Sequence, residues 1–234
     1  MQTFAIIPAR YASTRFPGKP LVEIQGKSMI RRVYEQALSA NIFSRVVVAT
    51  DDERIFNHVQ AFGGEVVMTS PHHLSGTDRC GEVLASGKYA CDVVFNIQGD
   101  EPFIQPEQLQ LLHKVFENPQ AEIATLVKSI SDEKDIANPN VVKVVFSKQG
   151  QAMYFSRSAI PFARNIGATY YRHIGLYAFR SNILSQLVTL APTDLERSES
   201  LEQLRWLENG FHINVAETQM YTIGIDTPDD LLKI

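Results

Sequence analysis

Three cations crowd one short stretch near the start of the chain. Within residues 8–20, PARYASTRFPGKP, Arg10, Arg15 and Lys19 stand among small and turn-forming residues. The stretch follows the apolar run Phe4-Ala5-Ile6-Ile7, which reads as a buried strand. Backbone N–H groups from Ala9 to Ser13 could cradle phosphate oxygens while the three side chains neutralise their charge. That chemistry suits a highly anionic small ligand, a nucleoside triphosphate first of all. A solvated basic loop is the bland alternative. The glycines match neither G-x-G-x-x-G nor G-x-x-x-x-G-K-[ST], which speaks against a dinucleotide oxidoreductase and a P-loop NTPase.

Carboxylates follow other apolar runs. Asn96-Ile97-Gln98-Gly99-Asp100-Glu101-Pro102 puts an acidic pair after a glycine, where Mg²⁺ would find one carboxylate and share substrate phosphates. A turn punctuated by Gly99 and Pro102, with Asp100 as a cap, accounts for the same residues. In residues 224–230, GIDTPDD, Thr227, Pro228 and Asp230 read as a helix start, so Asp229 and Asp230 are helix-start acids. Asp226 precedes that cap and is the candidate second metal carboxylate. Ser75-Gly76-Thr77-Asp78-Arg79 could read a base edge or a ribose, or form an ordinary N-cap. The six histidines lack ligand spacing. His72-His73 reads as a loop, while His173 stands out because Arg172-His173-Ile174-Gly175 leads into a strand. No Ser/His/Asp order and no cysteine-centred nucleophile is visible.

These residues must be held by a folded core. At 234 residues and 44% hydrophobic content, one α/β domain with an insertion fits. The net charge of −4 argues against nucleic acid as a partner. Residues 1–32 nonetheless carry six cations against the single acid Glu23, a local field suited to a small anion. Cys80 and Cys91 match no zinc or disulfide pattern, as expected of thiols in a reducing compartment. No signal peptide and no run of about 18 apolar residues is present, so a cytoplasmic protein without membrane insertion is expected.

The elements alternate over the first hundred residues. Thr3–Pro8, Arg45–Thr50, Glu65–Met68 and Asp92–Ile97 read as strands. Ser28–Ala40 reads as a helix capped by Ser28, and a second, capped by Asp51 or Asp52, reaches Ala61 before Gly63-Gly64. The pattern predicts a largely parallel sheet covered by helices. Pro106–Phe116 reads as another helix. Strands at Ile123–Ile130, Val141–Phe146, Ala152–Ser156 and His173–Phe179 then predict an antiparallel or mixed insertion, with residues 120–180 as an inserted lobe of a single 1–234 domain. A helix over Asp194–Asn209, a strand over His212–Ala216 and a last helix over Thr227–Lys233 complete the reading. Four polar loops, 9–19, 50–52, 98–103 and 225–229, fall at predicted carboxyl ends of strands, where open α/β sheets bind ligands.

The successive segments IIPARYASTRFPGKPL, VATDDERI, SGTDR, NIQGDEPFI, NPNVVKVV, YFSRSAIPF, RHIGLYAFR, LEQLRWLENG and GIDTPDDL resemble the motifs of 3-deoxy-manno-octulosonate (Kdo) cytidylyltransferases, in order, from about residue 4 to residue 232. The resemblance implies a Rossmann-like nucleotide-diphospho-sugar transferase fold: a mixed, mainly parallel sheet with helices on both faces and an antiparallel insertion. It implies transfer of CMP from CTP to Kdo with release of pyrophosphate, which activates Kdo for lipopolysaccharide biosynthesis, and a homodimer. A relative acting on a sialic acid or an amino-substituted Kdo is the alternative. By motif match, Pro8, Ala9, Arg10, Ser13, Thr14, Arg15, Lys19, Ser75, Gly76, Thr77 and Arg79 are expected at the nucleotide. Asp100 and Asp226 would hold Mg²⁺, and with Arg10 and Lys19 form the catalytic set. Gln98, Arg157, His173, Tyr177, Glu202 and Gln203 would line the sugar pocket, Arg157 facing the sugar carboxylate. Two departures stand out. Ser28 replaces a usual proline, and the stretch 166–171 is short, which would alter sugar preference.

Overall fold

The apolar run after Gln2 becomes the central strand of a parallel sheet. A computed structural model describes residues 1–12, 16–165, 167–220, 224–225 and 227–233. It divides the chain into two compact units, 1–110 with 222–234, and 111–221.

In the first unit, β1 (Thr3–Ala9) leads through a 3₁₀ turn at Lys19–Leu21 to a small hairpin, β2 (Glu23–Ile24) and β3 (Lys27–Ser28). Then come α1 (Met29–Ser39), β4 (Arg45–Thr50), α2 (Glu53–Ala61), β5 (Glu65–Met68), α3 (Gly76–Ala85) and β6 (Val93–Asn96). Helix α4 (Pro106–Val115) carries the chain onward. The strands lie in the order β6-β1-β4-β5, all parallel, with Ile6 opposite Val47 on one side and Asn96 on the other. Parallel crossovers are right-handed. Helices α1 and α2 carry the chain outward from β1, and α3 carries it back past β1 to β6. They therefore cover opposite faces, which is why β1 is apolar without alternation. Phe4, Ala5, Ile6 and Ile7 are at most 3% exposed. Each large aliphatic side chain buried there stabilises the fold by about 1.5–3 kcal/mol before entropy is subtracted.

The caps follow the sequence reading. The Ser28 hydroxyl accepts from the Arg31 N–H at the start of α1, and Asp52, not Asp51, accepts from the Arg54 N–H at the start of α2. Asp51 is engaged by Arg79 instead. Met29, Ile30, Val33 and Ala37 form the buried face of α1. The last helix is a 3₁₀ helix over Pro228–Lys233, and the Thr227 N–H and hydroxyl both donate to Asp230.

The second unit contains β7 (Ile123–Ile130), α5 (Glu133–Ala137), β8 (Lys143–Phe146), β9 (Ala152–Ser156), β10 (Tyr170–Arg180), α6 (Ser181–Leu187), α7 (Asp194–Glu199), α8 (Glu202–Glu208) and β11 (Ile213–Glu217). Its strand order is β11-β7-β10-β8-β9, antiparallel except for β11 with β7. The stretch 120–180 lies inside this unit. The single helix expected over 194–209 is two helices, separated by Ser200 in the left-handed region at φ 52°. The carbonyls released there are taken up by Arg157, whose Nε donates to Glu199 O at 2.7 Å. An internal bulge in β10 sets Ile174 opposite Leu126 and Tyr177 opposite Thr125, leaving Gly175 and Leu176 looped out. The core is aromatic: Trp206, 1% exposed, meets Tyr177 and Phe179 edge-on, with centroids 5.0 and 5.3 Å away.

Candidate active site

The next strand of the same sheet after β1, β4, lies on one side of it, and β6 lies on the other. The carboxyl ends of β1 and β6 therefore flank a topological switch point, where the connections diverge and leave an opening. A cavity of about 280 Å³ occupies that place. It is lined by Pro8, Ala9 and Arg10 from the end of β1, Lys19 and Pro20 from the 3₁₀ turn, His73 to Gly76 and Arg79 around the start of α3, and Gln98, Gly99 and Asp100 after β6.

Two glycines let backbone segments approach closely. A Cβ on Gly76 would sit 3.0 Å from Pro8 Cγ and 3.2 Å from Gln98 Nε2, and one on Gly99 would sit 3.0 Å from Pro8 O. Helix α3 starts beside Gly76 with a capping box, in which Ser75 Oγ accepts from the Asp78 N–H and Asp78 accepts from the Ser75 N–H. The positive end of that helix adds to the field in the cavity.

The charged residues divide by partner. Arg10 is exposed at the cavity wall. Lys19, with its side chain 12% exposed, donates to Asp100 Oδ2 at 2.7 Å and to the Ile225 carbonyl at 2.9 Å. The Ile225 N–H donates in turn to the Asp100 carbonyl at 3.0 Å. Ile225 is held from behind by Ile24 and Met29, with Phe16, Phe103 and Leu231 against them. Arg79 is 3% exposed: it donates to Asp51 Oδ2 at 3.0 Å, to Ser70 O at 3.3 Å and to the Thr69 hydroxyl. Its guanidinium is thus a buried strut that charges the cavity from beneath. Thr77 is buried as well, and the Asn96 side-chain amide donates to its hydroxyl at 3.4 Å.

The cavity gathers Pro8, Ala9, Arg10, Lys19, Ser75, Gly76, Arg79, Gln98 and Asp100 from the residues expected by sequence. Gln98, expected at the sugar, lines this same cavity and donates to Asn96 Oδ1 at 2.8 Å. Ser13, Thr14, Arg15 and Asp226 lie outside the described residues. The sequence reading missed Pro20, His73, Leu74 and Gly99. His73 pairs with Glu82, nearly two turns into α3, and the only hint was its place just before SGTDR.

The remaining expected residues belong to the second unit. His173 Nε2 lies 3.0 Å from the Thr125 hydroxyl, which also reaches Leu176 O at 2.8 Å across the bulge. Phe155 and Tyr177 flank the imidazole at 5.1 and 5.2 Å. Desolvation pushes the His173 pKa down to about 3, so the ring is neutral at physiological pH. Burial, and then the Glu202 carboxylate, push the Tyr177 phenol up, so it keeps its proton. Gln203 is 5% exposed. The Arg157 fork donates to the carbonyls of Glu199, Pro139 and Ser200, which uses three of its N–H groups within the protein.

A mainly parallel α/β sheet with a cavity lined by Arg10, Lys19 and Arg79 at its switch point defines the class: a fold whose strand ends offer a place suited to an anionic ligand. The chain belongs to the cytidylyltransferase family, which it matches over residues 4–217. It is 55% identical to the 3-deoxy-manno-octulosonate cytidylyltransferase of Phocaeicola vulgatus, covering 100% of this chain and 96% of that one. It is also 55% identical to the enzyme of that name from Bacteroides thetaiotaomicron, covering 99% and 96%. A solved structure of a CMP:2-keto-3-deoxy-manno-octonic acid synthetase complexed with CTP is similar at a TM-score of 0.95 and 45% identity, covering 100% of this chain and 96% of that chain.

Proposed function

We propose that this protein transfers the CMP moiety of CTP to 3-deoxy-manno-octulosonate and releases pyrophosphate. The observation that carries the reading is the switch-point cavity with Arg10, Lys19 and the start of α3 on its walls and Asp100 at its edge. In this reaction a sugar hydroxyl oxygen bonds to the α-phosphorus of CTP, and the bond from that phosphorus to the β-phosphate oxygen breaks. No side-chain nucleophile is needed, so catalysis rests on positioning and charge neutralisation. Arg10, Arg15 and Lys19 hold the triphosphate and the charge that grows on departing pyrophosphate. Pro8, Ala9, Ser13, Thr14, Ser75, Gly76 and Thr77 shape the nucleotide site, and Arg79 supports it from below.

Asp100 and Asp226 would hold Mg²⁺. The fit is chemical: Asp100 presents a hard carboxylate one-third exposed, and Ile225, the neighbour of Asp226, is hydrogen-bonded to the Asp100 backbone. Two carboxylates together with substrate phosphates suit that ion. It would supply charge stabilisation at the α-phosphate. For the sugar acid, the proposal retains Gln98, Arg157, His173, Tyr177, Glu202 and Gln203. A neutral His173 and a protonated Tyr177 act there only as uncharged hydrogen-bonding groups.

Among the described residues, no helix is long and apolar enough to cross a membrane. The proposal places the protein in the cytoplasm, where CTP is made, as a homodimer. The test is pyrophosphate release from CTP and Mg²⁺ with Kdo, an amino-substituted Kdo or a sialic acid, each in parallel. Release fastest with Kdo is expected. No release with any acid would end the enzyme reading, and equal or faster release with a sialic acid would end the Kdo assignment.

A further inference from the structure

We infer that Tyr11 and Arg54 form a latch that sets the spacing of Arg10 and Lys19, making them positioning residues for the triphosphate. This rests on the triphosphate site proposed above. The Gly18 N–H donates to the Tyr11 carbonyl at 3.0 Å, so residues 11 and 18 close upon each other. Arg10 precedes one of these and Lys19 follows the other, and both line the cavity. The closure needs glycine at 18 for two reasons. Its φ is +73°, and a Cβ there would meet the Tyr11 ring at 3.1 Å.

The outer face of that ring is covered by a third cation. The Arg54 guanidinium carbon lies 3.3 Å from the Tyr11 ring centroid. Arg54 sits in the first turn of α2, and its side chain is 59% exposed, which would ordinarily leave it free to wander. Here it is fixed twice. Its Nε and Nη2 donate to the two oxygens of Asp52 at 2.9 and 2.6 Å, and Asp52 is itself the N-cap of α2. The carboxylate orients the plane and offsets its charge, so the guanidinium can lie flat on the ring. The chain of contacts runs from the α2 cap through Asp52, Arg54 and Tyr11 to Gly18. Arg10 and Lys19 carry like charge, and without a ligand nothing in their own chemistry draws them together. The latch brings them together in advance, which lowers the ordering cost of binding a polyanion.

The test is calorimetric titration of CTP with Mg²⁺ into the wild-type chain and into Tyr11→Leu, Tyr11→Phe, Arg54→Ala and the Leu/Ala double variant. Each protein is also melted without ligand, and its KM and kcat are measured. Tyr11→Leu and Arg54→Ala should each weaken CTP about tenfold, as expected for a lost cation–π contact plus lost preorganisation. The double variant should be no worse than the weaker single one. Tyr11→Phe keeps the ring and should bind like wild type. The losses should appear in KM, with kcat at saturating CTP within about twofold of wild type. Unchanged CTP affinity in Tyr11→Leu, or fully additive losses in the double variant, would overturn the latch. If Tyr11→Leu does not fold, Arg54→Ala carries the same test. A wild-type chain that binds no CTP would overturn the nucleotide site itself, a different result from a site that binds CTP and ignores the latch.

Discussion

Lys19 Nζ stands 2.7 Å from Asp100 Oδ2, so a cation of the proposed triphosphate clamp occupies an oxygen of the proposed metal ligand. Each gives part of its bonding capacity to the other, so a bound triphosphate and a bound metal ion draw on the same pair. Removing Lys19 should therefore act in two directions. Lys19→Met should weaken CTP by about 10–100-fold, the range of a charge-assisted hydrogen bond. It should also tighten Mn²⁺ binding to the nucleotide-free protein, read by electron paramagnetic resonance of the free ion. Unchanged Mn²⁺ affinity would show that Lys19 does not compete for that carboxylate.

Asp100→Asn should do the reverse to catalysis. Turnover should drop about 100-fold or more, while CTP affinity stays within a few-fold. Steady-state rates at ordinary Mg²⁺, with calorimetry beside them, separate the two. Near-normal turnover would remove Asp100 from the metal site.

The buried strut under the cavity gives a stability prediction. Asp51→Asn leaves the Arg79 guanidinium, 3% exposed, without its carboxylate. Its Thr69 and Ser70 contacts and the partial exposure of Asp51 moderate the loss to about 2 kcal/mol. For a chain of this size the Tm should fall by about 4–8 °C. A melt within 1 °C or so of wild type would contradict the strut.

In the second unit, Lys143 is 0% exposed and its ammonium donates to the carbonyls of Asn138, Val141 and Arg157 at 2.9, 2.6 and 2.5 Å. Lys143→Met keeps the stem and strips the donors from three acceptors. Urea unfolding should show a loss of about 2–4 kcal/mol. A neutral result would mean that other donors replace the lysine.

His173 supplies the pH dependence. Its folded pKa, about 3, lies below the ordinary histidine value, so the unfolded chain binds the extra proton first on acidification. Its contribution is fully present above about pH 6.5 and is lost as the pH falls toward 3. In His173→Gln the stability curve should be flatter across that window. The acid limb of the kcat profile near neutrality should be unmoved by this residue, since the ring does not titrate there.

Much of this was legible from type and order. The cavity lies where apolar runs end in polar loops, and β1 and β6 announced themselves because strands buried on both faces are apolar throughout. What escaped depends on partners far along the chain. Arg79 looked like a nucleotide ligand, but its carboxylate is 28 residues away and turns it inward. Five polar residues, Glu196 to Ser200, interrupt the apolar spacing between Leu195 and Leu201, a trace of the break between α7 and α8 that the single-helix reading passed over; the carbonyl acceptors for Arg157 show only in three dimensions. The β10 bulge that turns His173 toward Thr125 is likewise a matter of register.

Ile225 gives one hydrogen bond to Asp100 and accepts one from Lys19, although 124 residues separate Ile225 from Asp100 only in the order of synthesis. A ribosome that has made Arg10, Lys19 and Asp100 has still to make the whole second unit before Ile225 and Asp226 emerge. The site is thus keyed to residues translated only after the whole second unit. A stalled or clipped chain would carry the basic loop but not the piece that locks it, and would be born inactive.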